Sequence, residues 1–346
     1  MTKIYADTKV CQWHIKQWYD NSVEILDNLN GAETAVFHVP YPLGNSTEFH
    51  NKLNEAVKIC DQVAVLLSEL HLDSIDFFIH HQHPKITYFV CGSIYNIPSK
   101  YWMDWFITTC SAYKNNTSLL NGLTPYVIKP KFFDILLGRQ KPHRSIVYNF
   151  IKNNDLDDRV VMTYLRGNDD ISLQKQDNQG WIWEDGLELP PTEFEWTVTP
   201  IRYRGHNMSL RQVVPISVYN QTAYSVVAET NYNNDHSFNT EKIVKPILAE
   251  RLFVVFSGQH YLRNLRRLGF KTFDGIIDET YDTIADHEQR FKLILDQMRY
   301  LFNCPQEKIL EQIRPITEHN KRVMLETDWY GDFSRELRES LLGHVS

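Results

Sequence analysis

Residues 224–258 read YSVVAETNYNNDHSFNTEKIVKPILAERLFVVFSG. A short apolar run ends at Ala228, a polar loop follows, apolar residues then recur at helical spacing after Thr240, and a second apolar run spans 252–256. Two such runs flanking a helical pattern predict a strand–helix–strand unit. That unit joins parallel strands by a right-handed crossover, so the stretch predicts an α/β chain built on a parallel sheet. Thr240 is the natural helix cap, which puts Glu241 and Lys242 in the first turn. Pro246 falls in the second turn and deletes a backbone hydrogen bond, so the pattern predicts either a kink there or a separate opening turn.

The same alternation extends both ways. Upstream, KFFDILLG (131–138) and RVVMTYL (159–165) are strand runs, and RQKPHRSIVYNFIKNN between them is a loop opening into a helix near Pro142. Downstream, QHYLRNLRRLG predicts a helix, FKTFDG a strand, and 285–342 further helices. Nearer the start, TAVFHV (34–39), QVAVLLSEL (62–70) and KITYFVCGSI (85–94) read as strands. STEFHNKLNEAVKICD, capped at Ser46 or Thr47, and WMDWFITTCSAYK read as helices. The Asn-, Gly- and Pro-bearing segment 115–130 is taken as the domain boundary. The expectation is two Rossmann-like α/β domains facing across a cleft, at 1–128 and 129–300, followed by C-terminal helices at 301–346. Residues 167–213, with Trp181, Trp183 and Trp196, form a polar stretch that suits a long functional loop or an insertion.

Composition narrows the classes. The chain has 346 residues and a formal net charge of −7, which disfavours a broad non-specific nucleic-acid surface. Its five cysteines, Cys11, Cys60, Cys91, Cys110 and Cys304, have no C-x-x-C spacing and suit free thiols in a reducing compartment. The first residues lack a signal-peptide core, and no run is long enough for a membrane span, so a cytoplasmic protein is expected. The glycosylation-type triplets at Asn45, Asn207 and Asn220 are then chance matches. Aromatic residues make up 13% of the chain, which suits a core as well as a ring-binding site.

Chemistry concentrates at two strand ends. In open parallel sheets, ligands bind beyond the carboxyl ends of the strands. The loop opened by Glu229 leads to Glu241 and Lys242 at a helix start, where backbone N–H groups and the helix dipole favour an anion. Lys242 adds positive charge there, and Glu241 is able to accept hydrogen bonds from a ribose diol. The plain alternative is a carboxylate that complements the dipole beside a solvated lysine. A second strand, 131–138, ends at another helix start with Arg139, Lys141 and Arg144, and guanidinium groups bind phosphate oxygens bidentately. For that element the plain alternative is a solvated basic turn.

Taken in order, VVAETN, a gap, SFNTEK and the earlier LLGRQKPHRSIVYNF resemble the α-1,3-fucosyltransferase family over residues 131–278. That family comprises inverting, sugar-nucleotide-dependent enzymes of the GT-B fold. The resemblance implies that Arg144 and Lys242 hold a diphosphate and that Glu241 holds the ribose. Glu229 matches a family glutamate, Thr230 stands where the family has asparagine, and Phe238 stands where it has tyrosine. It also implies an acceptor-side domain in the first half, with a glutamate after a strand as general base, for which Glu69 is the choice. The donor expected is a nucleotide sugar, with a GDP-linked one among the candidates. No resident cofactor or metal is expected, and the acceptor is a glycan or another hydroxyl. His80, His81 and His83, and the Asn168–Asp170 run, are the rival ligand clusters; neither is assigned a metal. The competing readings are a phage-type transferase acting on modified DNA through a basic cleft around Arg263, Arg266 and Arg267, and a non-catalytic α/β nucleotide-binding protein.

Overall fold

The computed structural model describes residues 2–18, 23–39, 47–67, 81–90, 93–94, 99–101, 104–165, 186–188, 200–234, 236–237 and 239–342. The chain divides into two compact units, Met1–Ile107 with Asp328–Ser346, and Thr108–Thr327.

The first unit runs β1 (Thr2–Ala6), α1 (Lys9–Trp18), β2 (Val23–Leu26), β3 (Thr34–Val39), α2 (Thr47–Ile59), β4 (Gln62–Leu67), β5 (Ile86–Val90), β6 (Ser99–Tyr101) and the start of α3 (Asp104–Asn115). Six of its strands form one parallel sheet in the order β2-β1-β3-β4-β5-β6. Val63 to Leu67 of β4 are fully buried, so the run reads as unbroken apolar sequence rather than as an alternation. α2 turns Leu53 and Ala56 into the core beside Phe37, Val65 and Tyr88.

The second unit runs β7 (Lys131–Arg139), α4 (Pro142–Asn153), β8 (Val160–Leu165), β9 (Leu187–Glu188), β10 (Pro200–Tyr203), β11 (His206–Ser209), α5 (Ile216–Gln221), β12 (Thr222–Ala228), α6 (Glu241–Leu248), β13 (Phe253–Phe256), α7 (Tyr261–Arg267), α8 (His287–Asn303) and α9 (Gln306–Glu326). A last helix, α10 (Trp329–Leu342), belongs to the first unit, where Phe333 meets Phe89 at 6.0 Å and Trp329 meets Phe106 at 5.3 Å.

The main sheet of the second unit is parallel, in the order β13-β12-β7-β8. The chain starts in its middle with β7, steps to β8 at one edge, and returns to β12 on the other side of β7. The winding direction therefore reverses between β7 and β12. A doubly wound sheet opens a crevice at such a point, beyond the carboxyl ends of the two strands. The first unit repeats the device between β1 and β3. The expectation of two Rossmann-like α/β halves is met.

Buried polar groups lock the second sheet together. Arg251, just before β13, donates to Asp134 of β7 at 2.9 Å and to Ser225 of β12 at 2.9 Å. It also donates to the carbonyls of Tyr219, Thr222 and Tyr224, closing the carboxyl end of α5.

Several local expectations change. Segment 115–130 belongs to the second unit: its Lys129 ammonium donates to the Thr124 carbonyl at 2.6 Å, and the Thr124 N–H donates to Asn220 at 3.0 Å. Its turn residues thus mark a bonded loop. The units divide at 107/108 and 327/328, whereas the sequence placed boundaries after 128 and 300. FKTFDG forms an isolated bridge at Asp274 and Ile277 in place of a strand, because the Glu279 carboxylate takes the Phe273 N–H at 2.7 Å and the Thr272 hydroxyl at 2.6 Å. The described part of 167–213 contributes a small antiparallel sheet, β9-β10-β11, whose tight turn uses positive φ at both Arg204 and Gly205. Trp181, Trp183 and Trp196 lie outside the described residues. α6 is one continuous helix through Pro246. Among the described residues, no helix is long and apolar enough to cross a membrane.

Candidate functional site

The loops that leave β7 and β12 meet at the reversal point of the second sheet. β7 ends at Arg139 and leads through Gln140 and Lys141 to α4, whose first turn holds His143 and Arg144. β12 leads into Glu229 and Thr230, and the loop returns at Thr240 to start α6. Two helix N-termini and two strand ends, all expected to carry the chemistry, therefore surround one loop.

Glu229 anchors that loop. Its side chain is fully buried. One carboxylate oxygen accepts the Tyr261 hydroxyl at 2.8 Å and the Thr240 N–H at 3.2 Å; the other accepts the Thr240 hydroxyl at 2.7 Å and the Thr230 N–H at 3.2 Å. Burial raises its pKa, while Lys242, Thr240 and Tyr261 pull the other way. The residue matched to a donor-binding glutamate thus spends both oxygens on the start of α6, the β12 loop and α7.

The first turn of α4 holds the same loop by its backbone. The Lys141 ammonium donates to the Thr230 carbonyl at 2.6 Å. Arg144 is 5% exposed and donates to the carbonyls of Ala228 at 3.4 Å and Glu229 at 3.3 Å. Burial lowers the Arg144 pKa, and the nearby Glu229 and Glu241 carboxylates oppose that. His143 is fully buried, with Nε2 2.8 Å from the Glu229 carbonyl. A carbonyl only accepts, so Nε2 carries the proton. Burial, with Arg144 next in weight, pushes His143 down to about 3, so it stays neutral.

Lys242 completes the cluster. Its ammonium lies 3.0 Å from a Glu241 oxygen, and it donates to the Thr230 and Thr240 hydroxyls, each at 3.2 Å. The Thr240 hydroxyl also accepts the Lys242 N–H at 3.3 Å and caps α6. Glu241 is 7% exposed. Burial alone would raise its pKa, but Lys242, Lys245 and Arg211 bring it below the ordinary value. Burial pushes Lys245, one turn further along α6, down to about 8.

Of the sequence-chosen residues, Arg144, Glu229, Thr230, Glu241 and Lys242 come together here. Phe238 and Glu69 lie outside the described residues, as do His80 and Asn168–Asp170. His81 packs edge-on against His50 at 4.9 Å, and His83 accepts the Lys85 N–H at 3.2 Å. Arg266 is committed to Glu279 at 2.9 Å, and Arg267 reaches Asn264 at 3.5 Å. Among the described residues, no three or more His, Cys, Asp or Glu side chains gather to hold a metal ion. His143 and Tyr261 belong to the site, and composition gave no sign of either. The one local hint was the setting of His143 between Lys141 and Arg144.

Three cations, Lys141, Arg144 and Lys242, thus bind a loop through carbonyl and hydroxyl oxygens at the mouth of the reversal crevice. Such a setting suits an anionic ligand. Neither a family model nor a curated protein sequence matches the chain. Among solved structures, it is similar to an alpha,alpha-trehalose-phosphate synthase (UDP-forming) from Burkholderia vietnamiensis, at 13% identity and a TM-score of 0.38, over 97% of this chain and 72% of that one. It is also similar to alpha,alpha-trehalose 6-phosphate synthase from Burkholderia multivorans, at 12% identity and a TM-score of 0.37, over 97% and 71% of the two chains. The residues described above, not that likeness, define the site.

Proposed function

We propose that the protein is a glycosyltransferase of the GT-B type that takes its sugar from a nucleotide-sugar donor bound in the second unit. The observation that carries this reading is the convergence of Lys141, Arg144 and Lys242, from two strand-end loops, on Glu229 and Thr230 at the reversal point of a parallel sheet. A donor diphosphate bound there meets positive charge from two sides. As the bond to the sugar breaks, negative charge grows on that diphosphate, and fixed cations stabilise it. Arg144 and Lys242 supply that charge themselves, so the reaction as proposed uses no resident cofactor or metal. Transfer is by direct displacement with inversion, as in the fucosyltransferase-like enzymes, and Glu69 of the first unit deprotonates the acceptor hydroxyl. The acceptor is a glycan or another hydroxyl compound, and the protein acts in the cytoplasm.

A second reading, a nucleotide-binding protein without transfer activity, draws on one observation: Glu241, assigned to the ribose, is nearly buried and already engaged by Lys242. Both readings require a nucleoside diphosphate to bind. Thermal unfolding against a panel of nucleotides and nucleotide sugars, with and without EDTA, tests that requirement. At a hundredfold excess over Kd, a ligand stabilises by about 2.7 kcal/mol, roughly 5–10 °C for a unit of this size. Stabilisation by one diphosphate, unchanged by EDTA and reduced by about half or more in Lys242→Ala, supports the site and names the base. Slow hydrolysis of the matching nucleotide sugar separates the enzyme from the binder. Silence across the whole panel removes both.

A further inference from the structure

Gly138 sits at the end of β7, where the pairing with β8 slips by a residue between Leu137 and Arg139. Glycine inside a strand weakens it, so its presence needs a reason. The usual reason is a left-handed backbone, but Gly138 does not have one. An ordinary L residue therefore fits the backbone there, and the reason has to be space. A Cβ at this position would stand 3.2 Å from Nη1 and 3.8 Å from Cζ of Arg144. The first distance is inside the roughly 3.5–4.0 Å at which non-bonded heavy atoms pack. The guanidinium thus lies tightly against the strand end, where a Cβ would crowd it. It has little room elsewhere, since Arg144 is 5% exposed and reaches the Ala228 and Glu229 carbonyls on the neighbouring strand end.

We propose that Gly138 is a positioning residue that sets the phosphate specificity of the site: its missing side chain is the seat of the Arg144 guanidinium, and filling the seat removes diphosphate recognition while leaving the strand intact. The inference rests on the donor-site reading above and adds to it the element that places the arginine. Valine is the informative replacement. It is a strong strand former, so any loss cannot be laid to strand propensity. A single methyl requires a shift of only a few tenths of an ångström, and the two further methyl groups of valine crowd the guanidinium more.

The test is a double-mutant cycle on the full chain with Gly138→Val, Arg144→Ala and the pair, each read in two ways. The first readout is the urea unfolding midpoint without ligand. Gly138→Val should lower it, and the loss should largely vanish in the Arg144→Ala background, because the clash has gone. The second is the Kd for the nucleoside diphosphate found by the panel, beside its uncharged nucleoside. A charge-assisted contact of this kind changes affinity by about 10- to 100-fold. Gly138→Val should therefore weaken diphosphate binding by about that factor, with no further loss on adding Arg144→Ala, and should leave nucleoside binding within about twofold. Gly138→Ala should fall between wild type and Gly138→Val. Additive effects on the midpoint would overturn the seat, whatever binds. Coupled midpoints with unchanged diphosphate affinity would keep the seat and overturn its role in specificity. Wild-type protein that binds no diphosphate overturns the donor-site reading, and the specificity role falls with it, while the midpoints still report the seat.

Discussion

Glu229→Ala separates two roles for the same carboxylate. If Glu229 contacts the donor directly, truncation weakens ligand binding and leaves the empty protein as stable as before. The structure makes it a lock, with four donors on two oxygens: two backbone N–H groups, from Thr230 and Thr240, and two hydroxyls, from Thr240 and Tyr261. Hydroxyls can turn toward other acceptors, but backbone N–H groups cannot. Each buried N–H left without an acceptor costs about 1–3 kcal/mol, so Glu229→Ala loses roughly 2–6 kcal/mol on that account, toward the lower end because the Thr230 bond is only partly buried. Against this, burial raises the Glu229 pKa, so the ionised carboxylate carries a desolvation penalty that alanine removes. The net expectation is about 2–4 kcal/mol. Glu229→Gln keeps the shape and one acceptor oxygen but turns an amide N–H2 toward the Thr230 N–H or its counterpart, for a loss of about 1–2 kcal/mol. Urea unfolding of the three proteins, followed by tryptophan fluorescence, should rank wild type above glutamine above alanine. A Glu229→Ala protein that unfolds at the wild-type midpoint would refute the lock. Loss of ligand stabilisation in that same protein would return the residue to the donor.

Four further outcomes are expected. Lys242→Ala should weaken diphosphate binding by about tenfold or more in calorimetric titration, and should also lower the unfolding midpoint, because the buried Glu241 carboxylate loses its nearest cation. Arg251→Met leaves Asp134 buried without its cation and should cost about 3–5 kcal/mol in urea unfolding, most of it recovered in Arg251→Met with Asp134→Leu. Glu241 has a lowered folded pKa, so its stabilising contribution is present above its unfolded pKa, about 4.5, and is lost as pH falls through the folded value. Glu241→Gln should flatten that acid limb in unfolding measured from pH 5 downward. Lys129 and Lys245 are both pushed down to about 8 from 10.5, so the unfolded chain binds more protons between those values and stability should rise with pH across that window. Replacing either lysine with methionine should shrink the rise.

Much of this architecture was legible because parallel sheets write themselves plainly. Residues 63–67 are buried on both faces and read as continuous apolar sequence; 222–228 is equally buried, and its apolar run 226–228 marks the strand even though Thr222 and Ser225 interrupt the pattern before it. FKTFDG was misleading for the opposite reason. Its pattern suits a strand, but side chains take over part of its backbone bonding: Glu279 accepts the Phe273 N–H, and Asn320 pairs with the Lys271 N–H and carbonyl. Side chains that replace a ladder leave no periodic trace. The Asn-, Gly- and Pro-bearing segment before β7 misled similarly: turn composition marks where a chain bends, not whether the bend is tied down. Here Lys129, Thr124 and Asn220 tie it to the second unit.

At the site, local rules found the loops but could not apportion their chemistry. Thr240, Glu241 and Lys242 were legible as a capped helix start because capping is decided within a few residues. Glu229 was legible as a strand-end carboxylate, yet its task depends on Tyr261, 32 residues away in sequence. The same limit explains the two helix N-termini. In sequence, the start of α6 is the more attractive anion seat, since a helix dipole there sits beside a lysine. In the structure, the Thr240 hydroxyl already accepts the Lys242 N–H, and the Glu229 carboxylate already takes the Thr240 N–H. The start of α4 is built differently. Its cap residue is Lys141, which makes no side-chain capping bond, and Pro142 brings no N–H to be satisfied. Its first turn instead turns positive side chains toward the β12 loop. The two starts therefore divide the work: α6 is closed by its own oxygens and holds Lys242 in register, while α4 presents the arginine. An anion bridging the two starts would meet Lys242 from one and Arg144 from the other, and the space at Gly138, against which the guanidinium rests, controls where that arginine can stand.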